Sequence, residues 1–417
     1  MAADSSSPGI DVGIVGAGPV GLLLAGLLGQ AGLRVRVLEE RKTPPSHSQA
    51  IGVTPPSLKI LSRLGLDQVF VRKGLPIRDC HVHGESGWLG CASFREIPDP
   101  NRFIVSLPQR DNVALMEETV SAMSTVEVCR GVEVSHFAQN ENCVTIFADE
   151  ESFDASWLIG CDGHRSFVRD ELGVSVRRGD YGCHFVMGDF HDETDLADEA
   201  HLFFTTEGAV ESFPLPGGER RWIVQTPRAE PMTPRGFISE IIRRRTGFDV
   251  PPLFQMNQSA FSPRWLDCES YVKDRVILCG DAAHLMSPIG GQGMNTGWAD
   301  AEFLAHALSE IVLKGAEPQR LLRAYESCRR RAARVATQRA AHGMWLGTRT
   351  GPVASWLRDH AMRHLLFKGP LARRVGPPCS PFPTTRSTAS RGISLGSPHP
   401  PHEPPRRTRN AGDARRG

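Results

Sequence analysis

Apolar positions along this chain recur with two different periods, and the places where one period gives way to the other outline its elements. An apolar run at Ile10–Val15, a glycine-rich turn, an apolar stretch over 19–31 and a second run over 34–38 predict strand, helix and strand. That order implies a parallel strand pair joined by a right-handed crossover. Leu58, Leu61, Leu64 and Val69 fall near one face of a helix over 57–73, and a further helix is expected over 112–124. Short alternating runs at 126–128, 132–136 and 143–147 predict strands.

Between about 181 and 265 alternation takes over. Runs at 184–190, 201–205 and 221–225 are separated by turn signals such as Pro216-Gly217-Gly218, which predicts a mainly antiparallel sheet inserted into the first domain. Residues 275–278 read as another buried strand. A long helical region over 295–341 follows and ends in the basic stretch 329–339, expected as a solvated helix face. From Gly376 onward periodicity stops: nine prolines fall in 377–405, and Arg, Ser and Gly fill much of the remainder. Such a segment buries too little apolar surface to offset its ordering entropy, so a disordered tail is expected.

Composition sets limits on function. With 417 residues there is room for two or three domains, and 40% apolar with 23% charged residues is ordinary globular usage. Lys plus Arg (48) nearly cancels Asp plus Glu (47), so the whole protein is no nucleic-acid or other polyanion binder; the 371–417 tail, with nine arginines against Glu403 and Asp413, is its basic part. The ten cysteines include no CxxC pair, and no Cys/His cluster has zinc spacing, so no metal site is expected. Together with the lack of a signal-peptide pattern, this cysteine usage suggests a reducing, cytoplasmic setting. Residues 10–28 are apolar enough to resemble a transmembrane segment, but Asp11 and five glycines argue for strand, turn and helix instead.

Three motifs carry chemistry. Gly16-Ala17-Gly18-Pro19-Val20-Gly21 is a GxGxxG between strand and helix. The first glycine permits the tight turn, the second lets a pyrophosphate approach the backbone, and the third lets helix pack on strand. Free N–H groups and the dipole at the helix start attract phosphate. Glu39, at the end of the second strand, is placed to accept hydrogen bonds from a ribose, which favours FAD or NAD over NADP as the tightly held nucleotide. The second motif, Gly280-Asp281-Ala282-Ala283-His284, continues through Pro288 to Gly290-Gly291-Gln292-Gly293-Met294-Asn295. Its Asp281 follows a buried strand and can meet a polyol hydroxyl, while its glycines bring backbone against something flat. The third, Cys161-Asp162-Gly163-His164-Arg165-Ser166, offers Asp162 and Arg165 to a pyrophosphate.

In this order and spacing the motifs resemble the FAD-dependent aromatic-ring monooxygenases of the p-hydroxybenzoate hydroxylase type, over roughly residues 10–370. The resemblance implies an α/β fold: a Rossmann-like FAD-binding domain with an inserted, mainly antiparallel substrate-binding sheet and C-terminal helices. The implied division is a flexible leader over 1–9, FAD-binding parts at 10–180 and 266–370, a substrate domain at 181–265 that strands near 76–105 join, and the tail at 371–417. It further implies FAD contacts from Gly16, Ala17, Gly18, Pro19, Val20, Gly21, Glu39, Gln49, Gln109, Asp162, Arg165, Asp281, Pro288, Gly291, Gly293, Met294 and Asn295, with Met294 and Asn295 by the flavin's pyrimidine edge. Where Gln49 stands the family usually has Arg; losing that cation removes about 1.5–3 kcal/mol of charge-assisted hydrogen bonding.

The activity so implied is hydroxylation of a phenolic or polyketide-like small molecule: NADH or NADPH reduces the flavin, O2 adds to it, and the flavin hydroperoxide delivers one oxygen. Pro288 would flank the reacting carbon by backbone positioning. His184, His201 and His284 are candidates for a proton relay, and Phe203, Phe213 and Trp222 for pocket walls. Alternatives are an epoxidase or a ubiquinone-pathway-type hydroxylase of the same fold, or a non-catalytic FAD-binding protein. A monomer or homodimer is expected.

Overall fold

The computed structural model describes residues 9–44, 50–230, 233–288 and 290–367. Five parallel strands form the centre of an eight-stranded sheet, in the order Val276–Leu278, Glu151–Gly160, Ile10–Val15, Val35–Glu39 and Val126–Arg130. The middle of this sheet is apolar on both faces, as a parallel sheet covered on both sides requires: Val12, Ile14, Val37, Leu158, Ile159 and Ile277 are fully buried. Val134–Gln139 and Val144–Ala148 extend one edge as an antiparallel pair against the first half of Glu151–Gly160.

The helix Pro19–Gln30 lies against this sheet and against Gln292–Lys314. The Trp298 indole donates to the Pro19 carbonyl at 2.9 Å, which fixes the two helix starts side by side. The helix expected over 57–73 is divided into Pro55–Leu61 and Asp67–Lys73, because Gly65 turns the chain at φ 70° after a short 3-10 turn. Likewise the region over 295–341 is two helices, Gln292–Lys314 and Pro318–Gly347. Gly315 ends the first at φ 67° and Pro318 opens the second, where its missing N–H costs nothing.

A second sheet has seven strands in the order Ser259–Phe261, His184–His191, Glu219–Thr226, Gly208–Leu215, Ala200–Thr205, Asp79–Gly84 and Gly87–Ser93. All neighbours are antiparallel except Ala200–Thr205 with Asp79–Gly84. One face is closed by the helix Phe237–Thr246, whose Ile238, Ile241 and Ile242 pack on Val186, Phe203, Val210, Trp222 and Val224. Phe203 and Trp222, expected as pocket walls, are therefore core residues of that outer face; Phe213 alternates to the other. Two three-stranded sheets complete the fold: Gly52–Val53, Ile104–Ser106 and Leu75–Ile77, and Val176–Asp180, Arg264–Cys268 and His284–Leu285. No helix of the described residues is long and apolar enough to cross a membrane.

Candidate functional site

The three motifs, far apart in sequence, meet at the carboxyl ends of adjacent parallel strands. Gly16 follows Ile10–Val15, Cys161-Asp162 follows Glu151–Gly160, Cys279-Gly280-Asp281 follows Val276–Leu278, and Glu39 ends Val35–Glu39. Backbone bonds stitch these ends together: Cys161 N donates to the Val15 carbonyl at 2.8 Å and Cys279 N to that of Gly160 at 2.9 Å. In open α/β sheets, the crevice outside such strand ends is where ligands bind.

Glycines fix how closely the segments approach. Gly16 sits at φ 105°, and a Cβ there would stand 2.5 Å from the Cys161 carbonyl oxygen. At Gly21 a Cβ would lie 2.0 Å from the Gly16 oxygen, so only glycine lets the helix start this near the strand. Gly18 differs, for a Cβ there would meet nothing within 4 Å. It caps the helix through its backbone alone, beside open space, at the point where a pyrophosphate needs access. Val20 fills a slot between Gly280 and Gly297, whose hypothetical Cβ atoms would approach it to 3.2 and 2.6 Å, and so joins the first motif to the second. Ala17 N donates to Glu39 Oε2 at 2.9 Å and Arg41 N to Oε1 at 3.1 Å, which holds the Glu39 carboxylate against the loop.

Polar groups here fall into satisfied and unsatisfied sets. Asp162 Oδ2 accepts from Val168 N at 3.0 Å, but its Oδ1 is buried with no partner among the described residues, and burial raises its pKa. Asp281 receives no hydrogen bond from the described residues; burial raises its pKa too, against the pull of His284 and His164. Arg165 is exposed and bonded to none of them. The neighbouring Arg169 is buried instead and donates to the Ala282 carbonyl at 3.4 Å, tying this segment to the second motif.

Asn295 is fully engaged. Its Nδ2 donates to Gly52 and Gly291 carbonyls at 2.9 and 2.6 Å, and its Oδ1 accepts from Thr54 N and Oγ1, both at 3.1 Å. Met294 Sδ accepts from Asn112 at 3.8 Å, leaving Asn112 Oδ1 buried and unpartnered. Gln109 bonds both ways with Ala50, at 3.0 Å through its N–H and 3.5 Å through its side-chain oxygen. Gly290 and Gly291 turn at φ 80° and 61° into the helix Gln292–Lys314, and the exposed Pro288 accepts from Gly291 N at 2.9 Å. Gln49 lies outside the described residues.

Beneath the second motif is a network that the sequence reading missed. Asp300, fully buried, accepts from His284 Nε2 and Arg329 Nε, both at 2.5 Å, and from Gly280 N at 3.3 Å. Burial works to raise the Asp300 pKa, but His284 and Arg329 outweigh it and hold the carboxyl below its usual range. His284 is thus a support for the turn. His201 lies on the outer face of the second sheet, bonded to the Leu196 carbonyl at 3.2 Å, with burial pushing its pKa down to about 4; His184 pairs with Ser262 at 2.7 Å. An acid within an otherwise apolar helical face, as Asp300 is between Trp298 and Leu304, was the available signal for the network.

Open space at Gly18, the orphaned Asp162 oxygen and the unpartnered Asp281 carboxylate fit a dinucleotide with a polyol chain. The profile of the FAD binding domain family matches residues 9–340. A rifampicin monooxygenase from Streptomyces venezuelae is 31% identical over 361 residues, covering 82% of this chain and 73% of that protein. A 6-methylpretetramide 4-monooxygenase from Streptomyces rimosus is 31% identical over 332 residues, 76% of this chain but 58% of the relative's length. Among solved structures, p-nitrophenol 4-monooxygenase from Pseudomonas putida matches with a TM-score of 0.79 at 24% identity, covering 87% of this chain and 95% of that one.

Proposed function

The chain belongs to the family of FAD-dependent monooxygenases built on this FAD binding domain, and from that premise we propose that it hydroxylates a phenolic or polyketide-like aromatic compound. Electrons would come from NADH or NADPH and the oxygen from O2. The observation that carries the proposal is the meeting of three motifs at neighbouring strand ends around unsatisfied carboxylates.

Gly16, Gly18 and the helix start would hold the pyrophosphate, with Asp162 and Arg165 beside it; Glu39 would hold the ribose and Asp281 the ribityl chain. Gln109, Pro288 and the 291–295 turn would frame the ring system. When bound, FAD supplies the redox and oxygen-transfer chemistry; the protein's part is to orient the substrate and keep water from the reacting atoms. Asn295, with all four of its side-chain bonds made inside the protein, would set the turn's shape. The cysteine usage of the chain, with no CxxC pair, supports a reducing, cytoplasmic setting.

The test is the visible spectrum of the purified protein, identification of the flavin released on heating, and a screen of aromatic compounds for stimulated NAD(P)H consumption with oxygen-18 incorporation from O2. A yellow protein that releases FAD and transfers labelled oxygen is the expected result. A protein that takes up no FAD, or holds FAD and only consumes NAD(P)H at a rate no aromatic compound alters, refutes the proposal.

A further inference from the structure

Gly208–Leu215 is the central strand of the second sheet, and its residues alternate between the two faces. Val210 belongs to the face closed by Phe237–Thr246, so Ala209, Glu211 and Phe213 belong to the other. Directly across from Glu211 on that face are Leu202 and Ile223, a carboxylate between two aliphatic side chains that are themselves partly exposed. Glu211 is 8% exposed and has no hydrogen bond or ion pair among the described residues. Burial alone pushes its pKa up to about 7.

No charged neighbour neutralises it. The charged groups on the same face are Arg221 and Asp189, locked on each other at 2.6 and 2.9 Å with Asn257 also on Asp189 at 2.8 Å, and, at the strand ends, Glu219 across from His191. From other elements, Leu75, Ile77 and Ile104 pack beside Phe213 and Met344 and Phe261 beside Ile223, while Arg358, ion-paired with Asp359, lies over the Phe204 ring at the far end of the face. A carboxylate buried without a partner opposes folding, and a leucine would pack better between Leu202 and Ile223.

Both flanks of this face border the 280–295 segment. Phe213 packs on strands that hold Gly52, to which Asn295 donates. On the other side Ile223 shares a cluster with Tyr181, whose hydroxyl abuts the Ser287 backbone. An aromatic compound held between the sheet and that segment would meet Glu211 as an unpaired carboxyl group in the middle of the sheet face.

We propose that Glu211 receives the ring hydroxyl of the substrate, accepting its hydrogen bond and then its proton. The inference rests on the aromatic hydroxylation proposed above. In this step the phenol O–H bond breaks, its electron pair stays on oxygen, and a new O–H bond forms on Glu211; nothing is oxidised or reduced. The phenolate is more electron-rich at its ring carbons and so a better acceptor of electrophilic oxygen. A carboxylate tuned toward neutrality is matched to that transfer. When the ring regains its aromaticity after oxygen transfer, the C–H bond at the oxygenated carbon breaks, its electron pair rejoins the ring and its proton leaves to solvent, while the proton held on Glu211 returns to the substrate's original oxygen.

The experiment compares FAD-loaded wild type with Glu211→Gln and Glu211→Leu. The probes are phenol, which stays protonated throughout the pH range in which Glu211 titrates, and its methyl ether, anisole, followed by equilibrium dialysis and by NAD(P)H consumption across pH. Wild type is expected to prefer the phenol by about tenfold or more, and both variants to lose the preference while keeping their FAD. The limb of the pH profile assigned to Glu211 should vanish in Glu211→Gln. Equal preference in wild type and Glu211→Gln overturns the assignment.

A second readout needs no substrate. The melting temperature of Glu211→Gln relative to wild type should rise between about pH 5 and about pH 8 as the unpaired carboxyl of wild type ionises. A constant difference means that Glu211 is paired, which also overturns it. Failure of the proposed function is read separately, from wild type alone, as absent FAD or as NAD(P)H consumption that no aromatic compound alters.

Discussion

Replacing Gly18 and Gly21 one at a time by alanine separates ligand binding from packing within a single six-residue loop. Gly18 has φ −79° and ψ −179°, backbone that any residue adopts, and a methyl group there would meet nothing within 4 Å. Alanine is a poorer helix cap than glycine, but it also restricts the unfolded chain. The two effects oppose each other at the scale of about 0.5–1 kcal/mol, so the apoprotein's stability should change by less than about 1 kcal/mol. The added methyl nevertheless projects into the space where the pyrophosphate must approach, and FAD affinity should fall by about tenfold or more. At Gly21 the methyl would stand 2.0 Å from the Gly16 carbonyl oxygen, a backbone atom that cannot swing aside. Relief requires the helix to retreat by more than about 1 Å from the strand, an overpacking cost at or above the usual ~1–3 kcal/mol. Denaturant melts of the apoproteins and titration with FAD by flavin fluorescence measure the two quantities independently. Gly18→Ala binding FAD as tightly as wild type would refute the assignment of that open space to the pyrophosphate. Gly21→Ala with a wild-type melt would refute the packing argument.

Asp300→Asn should destabilise the protein by about 3–5 kcal/mol in urea, because it strands the Arg329 cation in the interior. Asp300's own pKa is depressed, so its stabilising contribution is full above its ordinary value and fades as pH falls through the lower folded value; the acid limb of a stability profile should shrink in the variant. Glu211 acts with the opposite sign. With its pKa raised from 4.5 to about 7, it costs stability as pH rises through that window, and Glu211→Gln should recover up to about 3 kcal/mol by pH 8, read from paired thermal melts. His201 is held neutral, with a pKa near 4 instead of 6.5, so stability should fall as pH drops from 6.5 toward 4, and less so in His201→Leu. If melts of wild type and His201→Leu run parallel across that window, burial of a neutral imidazole is not what sets the acid limb.

The first sheet was legible in the sequence because buried parallel strands are rich in β-branched and aliphatic residues, as Ile10–Val15, Val35–Glu39 and Val276–Leu278 are, and because the first and last of these lead into glycine-containing motifs. The motifs were legible for a related reason: Gly16 and Gly21 are demanded by backbone approach, which no other residue type allows. Long-range side-chain pairing left no such mark. Asp300 and Arg329 are 29 positions apart, and only the packing of their two helices brings them within 2.5 Å. Periodicity alone also could not tell which face of the second sheet looks outward. Phe203, Phe213 and Trp222 are equally apolar in sequence, and register alone decides that two of them lie under Phe237–Thr246 and one does not.

Register also determines which polar residues the fold leaves for something else. Asn295, His284 Nε2 and Asp300 spend their hydrogen bonds within the chain, and what they produce is shape: a turn held to Gly52 on one side and to the end of Val276–Leu278 on the other. Asp162 Oδ1, Asp281 and Glu211 are carboxylate groups that the described residues leave unsatisfied, and burial raises the pKa of each. A protein of marginal stability does not keep three such penalties without return. Two lie at the strand ends, where a polyol and a pyrophosphate would satisfy them; the third lies across the second sheet, between Leu202 and Ile223, where a substrate hydroxyl would. On this argument FAD and an aromatic hydroxyl compound should each stabilise the folded protein by mass action. The stabilisation by the phenol, and not that by FAD, should be lost in Glu211→Gln.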